Sequence, residues 1–155
     1  MIAGSIAVRR WALLGAVAAS MLAAISPETA ADETIALPQR ALRAGNRPFS
    51  VAVASTAQQR QHGLMGYTHL GDDAGMLFVF ENKSGYCFWM KDTLIPLSIA
   101  FLDDDGSIVN IEDMLPRTLV IHCPKAAVRY ALEMNQGWFR NKGIRPGMKI
   151  NGLPR

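Results

Sequence analysis

Apolar positions that recur at every second residue give this chain a series of short strands. Phe49–Ala54 (FSVAVA) places Phe49, Val51 and Val53 on one face, the pattern of a half-buried strand. Met76–Phe80 (MLFVF) is apolar throughout, which predicts a strand covered on both faces. Tyr86–Met90 reads as the next strand, paired antiparallel with it across the Asn-, Ser- and Gly-rich turn Glu81–Gly85. Leu97–Leu102 and Ser107–Glu112 flank Asp103-Asp104-Asp105-Gly106, whose Asp-Gly step predicts a hairpin. Leu119–Ile121 is a candidate short strand. Val128–Met134 alternates, with Val128, Tyr130, Leu132 and Met134 facing one way and Arg129, Ala131 and Glu133 the other. Met148–Asn151 is the last predicted strand.

Helical signals are few. Ser55 or Thr56 can cap a short helix through Gln59, Arg60 and Gln61, with Ser55 and Gln58 spaced as a capping box and Gly63 as the stop. Leu64 and Met65 follow as apolar plugs. A second helical turn is expected within residues 135–143. Pro96 argues against a central strand at Lys91-Asp92-Thr93, which interrupts two apolar runs. Short strands with turn signals every 8–12 residues predict a mostly β fold. The expected form is a small closed or half-closed antiparallel β-barrel or sandwich with one or two short helices.

The first 31 residues change this picture. A basic start (Arg9, Arg10), an apolar run from Trp11 to Ile25 and the small residues Thr29-Ala30-Ala31 have the layout of a cleavable signal peptide. The run is shorter than the roughly 20 residues that span a bilayer, so a retained anchor is the lesser alternative. The Arg pair resembles a twin-Arg signal, but the rest of that motif is weak, and general secretion is the preferred route. Cleavage after Ala30 or Ala31 leaves an N-terminal entry segment, residues 32–47, and a single β-rich domain, residues 48–155. The expected location is the periplasm or the outside, with no stable membrane span after cleavage. That portion keeps 14 Lys/Arg and 12 Asp/Glu, a net charge of +2, with no basic-aromatic stripe, so nucleic acid is not an expected partner. Both cysteines, Cys87 and Cys123, lie in it. An oxidising compartment permits a disulfide between them, while their apolar surroundings equally suit two buried thiols.

Taken together, a spaced set of residues resembles the bacterial and archaeal family known as domain of unknown function 192. The set is Thr56, Arg60, Gly63-Leu64-Met65, Gly75-Met76-Leu77-Phe78, Phe88-Trp89-Met90-Lys91, Thr93, Ile95-Pro96-Leu97, Phe101-Leu102-Asp103, Gly106, Ile111 and Leu132-Glu133. The resemblance runs from about Phe49 to Ile150. It implies a compact β-rich domain, frequently exported or membrane-attached, and brings no established activity. This chain departs from the family's usual residues at Asp92 (Asn), Ser98 (Asp), Tyr67 (Arg) and Met148 (an acid).

Phe88-Trp89-Met90-Lys91-Asp92-Thr93 is the densest candidate site. Alternation sets Trp89 opposite Phe88 and Met90, beside Lys91 or Asp92, where it can wall a pocket for a small polar ligand or simply pack in the core. Arg60 and Glu112 are candidate partners in that pocket; with Glu133 they can line a cleft or form a structural salt bridge. Asp103, Asp105, Gly106 and Glu112 overlay a calcium loop, but its first ligand place falls on Phe101, so a plain hairpin turn is preferred. His122-Cys123 with Cys87, Met65, Met76, Met90 or Met114 could bind a soft metal, against the safer reading of core methionines. No nucleophile elbow is present, and adjacent His122 and Cys123 would point to opposite faces. His62 and His69 are the other histidines.

The leading expectation is therefore an exported, non-enzymatic envelope domain. It would bind a small molecule, a glycan fragment or an envelope protein at the Trp89/Lys91/Asp92 corner. The alternative is an envelope hydrolase using Asp92, Glu112 or Glu133 as acid or base, marked by a concave pocket and a buried carboxylate. A Met/Cys copper protein is the weaker third reading. No cofactor is called for.

Overall fold

Strand pairing in the computed structural model, which describes residues 37–155, explains why the apolar runs are so dense. The described residues form β1 (Gln39–Ala44), β2 (Arg47–Ala54), α1 (Ala57–His62), β3 (Ala74–Ser84), β4 (Leu97–Leu102), β5 (Ile108–Met114), β6 (Val128–Asn135), α2 (Trp138–Asn141) and β7 (Ile150–Asn151). The strands make one sheet in the order β5-β4-β6-β3-β2-β1-β7. It curls into a half-barrel. Its edges meet at one end, where Ile108 N donates to Met148 O (2.8 Å) and Ile150 N to Gly106 O (2.9 Å).

The mostly β expectation holds, with one change of topology. β2 and β3 run parallel, with Val53 opposite Leu77, and α1 is the crossover between them. All other pairs are antiparallel. The expected hairpin between Met76–Phe80 and Tyr86–Met90 does not form. β3 continues through Glu81 to Ser84, and β6 is its antiparallel partner. Residues 86–93 leave the sheet and cross its outer face. Leu119–Ile121 makes no strand either; the segment from Arg117 to Cys123 runs beside the ribbon, paired to it in strand fashion only at Phe88 and His122 and otherwise held by isolated backbone hydrogen bonds and the Cys87–Cys123 disulfide. The N-terminal segment before Pro48 contributes β1, between β2 and β7, with Leu42 and Ala44 buried. The signal peptide, its cleavage site and the Arg pair lie outside the described residues.

Both faces of the sheet are covered. Leu42, Phe49, Val51, Leu77, Tyr130 and Leu132 meet Trp138 and Phe139 of α2 on the concave side. On the other side Met76, Phe78, Ile99, Phe101 and Ala131 are capped by Leu64, Phe88 and Met90. Two-faced burial replaces the alternation expected of β6, since Ala131 and Glu133 are buried as well. β3 and β6 approach closely: a Cβ at Gly75 would collide with the Glu133 carbonyl. Among the described residues no helix is long and apolar enough to cross a membrane.

Candidate functional site

Helix α1 is set by a capping box one residue later than the spacing suggests. Thr56 Oγ1 accepts from Gln59 N (3.2 Å), and Gln59 Oε1 accepts from Thr56 N (3.0 Å). Gly63 closes it at φ 51°, with the Phe78 ring packed beneath. Arg60 pins the helix to the sheet. One guanidinium nitrogen donates to the Ser55 and Val79 carbonyls, and the group lies 5.3 Å from the Phe80 ring centre. Arg60 is thus held for structure. Gln58, Gln61 and His62, spaced i, i+3, i+4, share a helix face.

A ribbon of residues 86–93 forms the facing wall. Tyr86 stacks on Phe80 (3.7 Å between centres), and Phe88 meets Phe78 edge-on (4.9 Å). Met90 is fully buried. With Phe88 and Met90 inward, Cys87, Trp89 and Lys91 face out. Cys87 is joined to Cys123 by a disulfide, with Cα atoms 4.3 Å apart; the alternative of two buried thiols is replaced by a staple near the surface. Lys91 Nζ lies 5.9 Å from the Trp89 ring centre. Asp92 adopts φ 57°, and its carbonyl accepts from Gly66 N (3.0 Å). Thr93 N closes the turn on Met90 O (3.1 Å). After glycine, Asn is the residue that best tolerates this left-handed geometry, so the family's usual Asn has a backbone reason, and Asp is a near substitute.

Helix and ribbon enclose an open cleft of about 540 Å³. Gln58, Gln61, His62 and Met65 line one wall, and Trp89, Lys91 and Asp92 the other. Beneath it lies a recess of about 50 Å³, bounded by Gly63, Leu64, Phe78 and Thr93, with Glu133 in its lining. The two share Arg60, Gln61, His62, Met65 and Trp89. Glu133 is 5% exposed and stands in register between Ile99 and Met76. Burial pushes its carboxyl up from 4.5 to about 8. At neutral pH it is mostly an uncharged acid, able to donate a hydrogen bond.

Of the residues singled out in the sequence, Trp89, Lys91, Asp92, Thr93 and Arg60 come together here. Glu112 does not. It shares a row with Ile99 and Glu133, two strands from the latter and roughly 10 Å away by strand spacing. Its carboxylate contacts His122 Nδ1 (2.8 Å) and accepts from Asn110 Nδ2 (3.2 Å). The salt bridge envisaged among Arg60, Glu112 and Glu133 is therefore absent. Gln58, Gln61 and His62 are not assigned to this corner from the sequence, where Met65 figures only as an apolar plug or soft-metal ligand; the i, i+3, i+4 spacing of the first three marks a shared helix face but not what lies opposite it.

The metal readings fail on geometry. Asp103 pairs with Lys83, and Asp105 with Lys149 (2.6 Å). Those partners hold both carboxyls below their ordinary range. The turn is a lysine-braced hairpin. Among the described residues no group of three His, Cys, Asp or Glu is placed to hold a metal. The disulfide removes both thiols as soft ligands, and Met76, Met90 and Met114 are buried in the core. Ser98, another departure from the family pattern, lies elsewhere. Its hydroxyl donates to Asp113 and accepts from Gly137 N (2.8 Å), joining β4, β5 and the start of α2.

Comparison with known proteins agrees with this architecture. The family model for domain of unknown function 192 (Uncharacterized ACR) matches residues 40–152. A solved structure from Sinorhizobium meliloti 1021, provisionally described as a transcription regulator, is 32% identical with a TM-score of 0.73. The match covers 76% of this chain and 96% of that one. A protein of unknown function from Novosphingobium aromaticivorans DSM 12444 is 29% identical with a TM-score of 0.68, over 74% of this chain and 84% of that one. No curated protein matches.

Proposed function

For a chain that belongs to the family of domain of unknown function 192, we propose a binding role: an exported domain that holds a glycan fragment in the cleft between α1 and the 86–93 ribbon. The supporting observation is the cleft itself, which sets Gln58, Gln61 and His62 across from Trp89, Lys91 and Asp92. Amide and carboxylate groups suit hydroxyls, and the 48%-exposed indole offers a flat apolar face to sugar C–H groups. Arg60 and the disulfide hold the two walls, so little ordering accompanies binding. Export and a periplasmic or extracellular location belong to the same reading, resting on the leader-like residues 1–31. The description of the Sinorhizobium relative does not carry over readily. Residues 32–155 have a net charge of only +2, and Lys83, Arg140, Lys142 and Lys149 are paired with acids.

The test is thermal shift with chitotriose, cellotriose and a peptidoglycan disaccharide, on the wild type and Trp89→Ala. A shift that Trp89→Ala reduces supports the site. Equal shifts in both proteins remove it.

Glu133 favours a second reading, hydrolysis of the same ligand. A protonated acid beneath a polar cleft is poised to protonate a leaving oxygen. Among the described residues, Asp92 is the other carboxylate lining the cleft. Incubation with the same sugars decides it: product formation lost in Glu133→Gln favours catalysis, and intact sugar with the wild type favours binding alone.

A further inference from the structure

The segment opposite the ribbon carries a patch that the cleft does not use. Leu115, Leu119, Val120 and Ile121 are 63%, 65%, 59% and 57% exposed. Four large aliphatic residues this exposed within seven positions are unusual on a soluble surface. They are also held in place. Phe88 and His122 exchange backbone hydrogen bonds of 2.8 and 2.9 Å, Met90 N donates to Thr118 O (3.1 Å), and Arg117 N to Thr93 O (3.0 Å). The Cys87–Cys123 disulfide closes the pair of segments. In that antiparallel register Trp89 stands across from Ile121, which joins an exposed indole to the aliphatic patch.

The surrounding charge identifies the partner. Residues 82–91 and 114–132 contain no Asp or Glu. They carry Lys91, Arg117 and Lys125, all exposed and, among the described residues, in no salt bridge. The acids at its edges are Asp92, Glu112, which is paired with His122, and Asp113, which is paired with Arg140. A second copy on this face would set like charges against each other. An anionic lipid surface would not. Aliphatic side chains would enter the acyl boundary, the indole would take the headgroup level it favours, and the cations would meet lipid phosphates. Each cation near such a surface raises partitioning roughly fivefold.

We propose that this disulfide-closed pair of segments is a membrane-docking element: Leu115, Leu119, Val120 and Ile121 insert into an anionic bilayer surface, flanked by Lys91, Arg117 and Lys125. Docking sets the adjacent cleft mouth at the lipid headgroups. This element does not depend on what the cleft binds.

The test is quenching of Trp89 fluorescence by brominated phosphatidylcholine in vesicles containing phosphatidylglycerol. The full chain carries Trp11→Phe, so that Trp89 is the reporter and Trp138, 5% exposed, stays out of reach. Quenching is expected, stronger than in vesicles of brominated phosphatidylcholine alone. It is expected to be lost when Leu119, Val120 and Ile121 are changed together to Ser, with an unchanged thermal melt showing that variant folded. Absence of quenching overturns the proposal even if residues 1–31 hold the chain on the vesicle. Equal quenching with and without the anionic lipid overturns the charge-selective part. A lipid-free dimer abolished by the same triple change assigns the face to a second copy and also overturns it.

Discussion

Changing Glu133 to Gln should remove most of one pH-dependent component of stability. Glu133 is 5% exposed between Ile99 and Met76, and burial raises its carboxyl from 4.5 to about 8. The unfolded chain gives up this proton above about pH 4.5, while the folded chain keeps it to about pH 8. The unfolded state therefore binds fewer protons across that window, and stability falls as pH rises through it, levelling above pH 8. A tenfold difference in proton affinity between the two states is worth about 1.4 kcal/mol, so this residue alone lowers stability by roughly 3 kcal/mol between pH 5 and pH 8. Gln keeps the shape and does not titrate. Urea unfolding of the wild type and Glu133→Gln at pH 5, 6, 7 and 8 measures the difference. The variant should gain on the wild type steadily with pH. Arg60 and His62 line the same recess and are present in both proteins, so the difference between the two curves isolates Glu133. Curves that run parallel from pH 5 to pH 8 would refute a buried, proton-holding Glu133.

Other substitutions test the walls of the site. Asp92→Asn should be close to neutral, whereas Asp92→Val should cost about 1–2 kcal/mol in urea unfolding, because Asp92 sits at φ 57°. Cys87→Ser removes a cross-link spanning 36 residues and should cost about 3 kcal/mol, with dithiothreitol lowering the wild type toward the variant. Ser98→Ala removes the hydroxyl that accepts from the buried Gly137 N–H and should cost about 1–3 kcal/mol. Ser98→Asp, the residue usual in the family, sets two carboxylates together at Asp113; it should destabilise the protein at pH 7 and be rescued by adding Asp113→Asn.

The parts of the fold legible in the sequence are those fixed by local rules. Leu97–Leu102 and the return strand were marked by apolar runs around an Asp-Gly turn, and α1 by a cap and a stopping glycine. The parallel pairing of β2 with β3 was not legible, because the Phe49–Ala54 strand shows the alternation of a one-sided strand and α1 is only six residues long. Glu81–Ser84 reads as a turn by composition, yet it extends β3, since its exposed polar side chains suit the end of a strand that outruns its apolar core. The opposite error befell Tyr86–Met90: the apolar run was genuine, but it packs on the sheet as a lid, and side-chain burial alone does not distinguish the two. In the site, Lys91, Asp92 and Thr93 could be found because they interrupt an apolar stretch, and Trp89 because it stands just before that interruption. Gln58 and Gln61 could not be ranked above any other exposed helix face until the ribbon was seen opposite them. Glu133 looked like the polar side of an alternating strand, and only two-faced burial makes it an acid that keeps its proton.

Backbone and indole amide chemical shifts during titration with chitotriose and the peptidoglycan disaccharide address the cleft most directly. Saturable shifts are expected, concentrated at Gln58, Gln61, His62, Lys91 and the Trp89 indole, with the turn at Asp103–Gly106 unmoved. Shifts confined to other surfaces, or none at millimolar sugar, would contradict binding in the cleft.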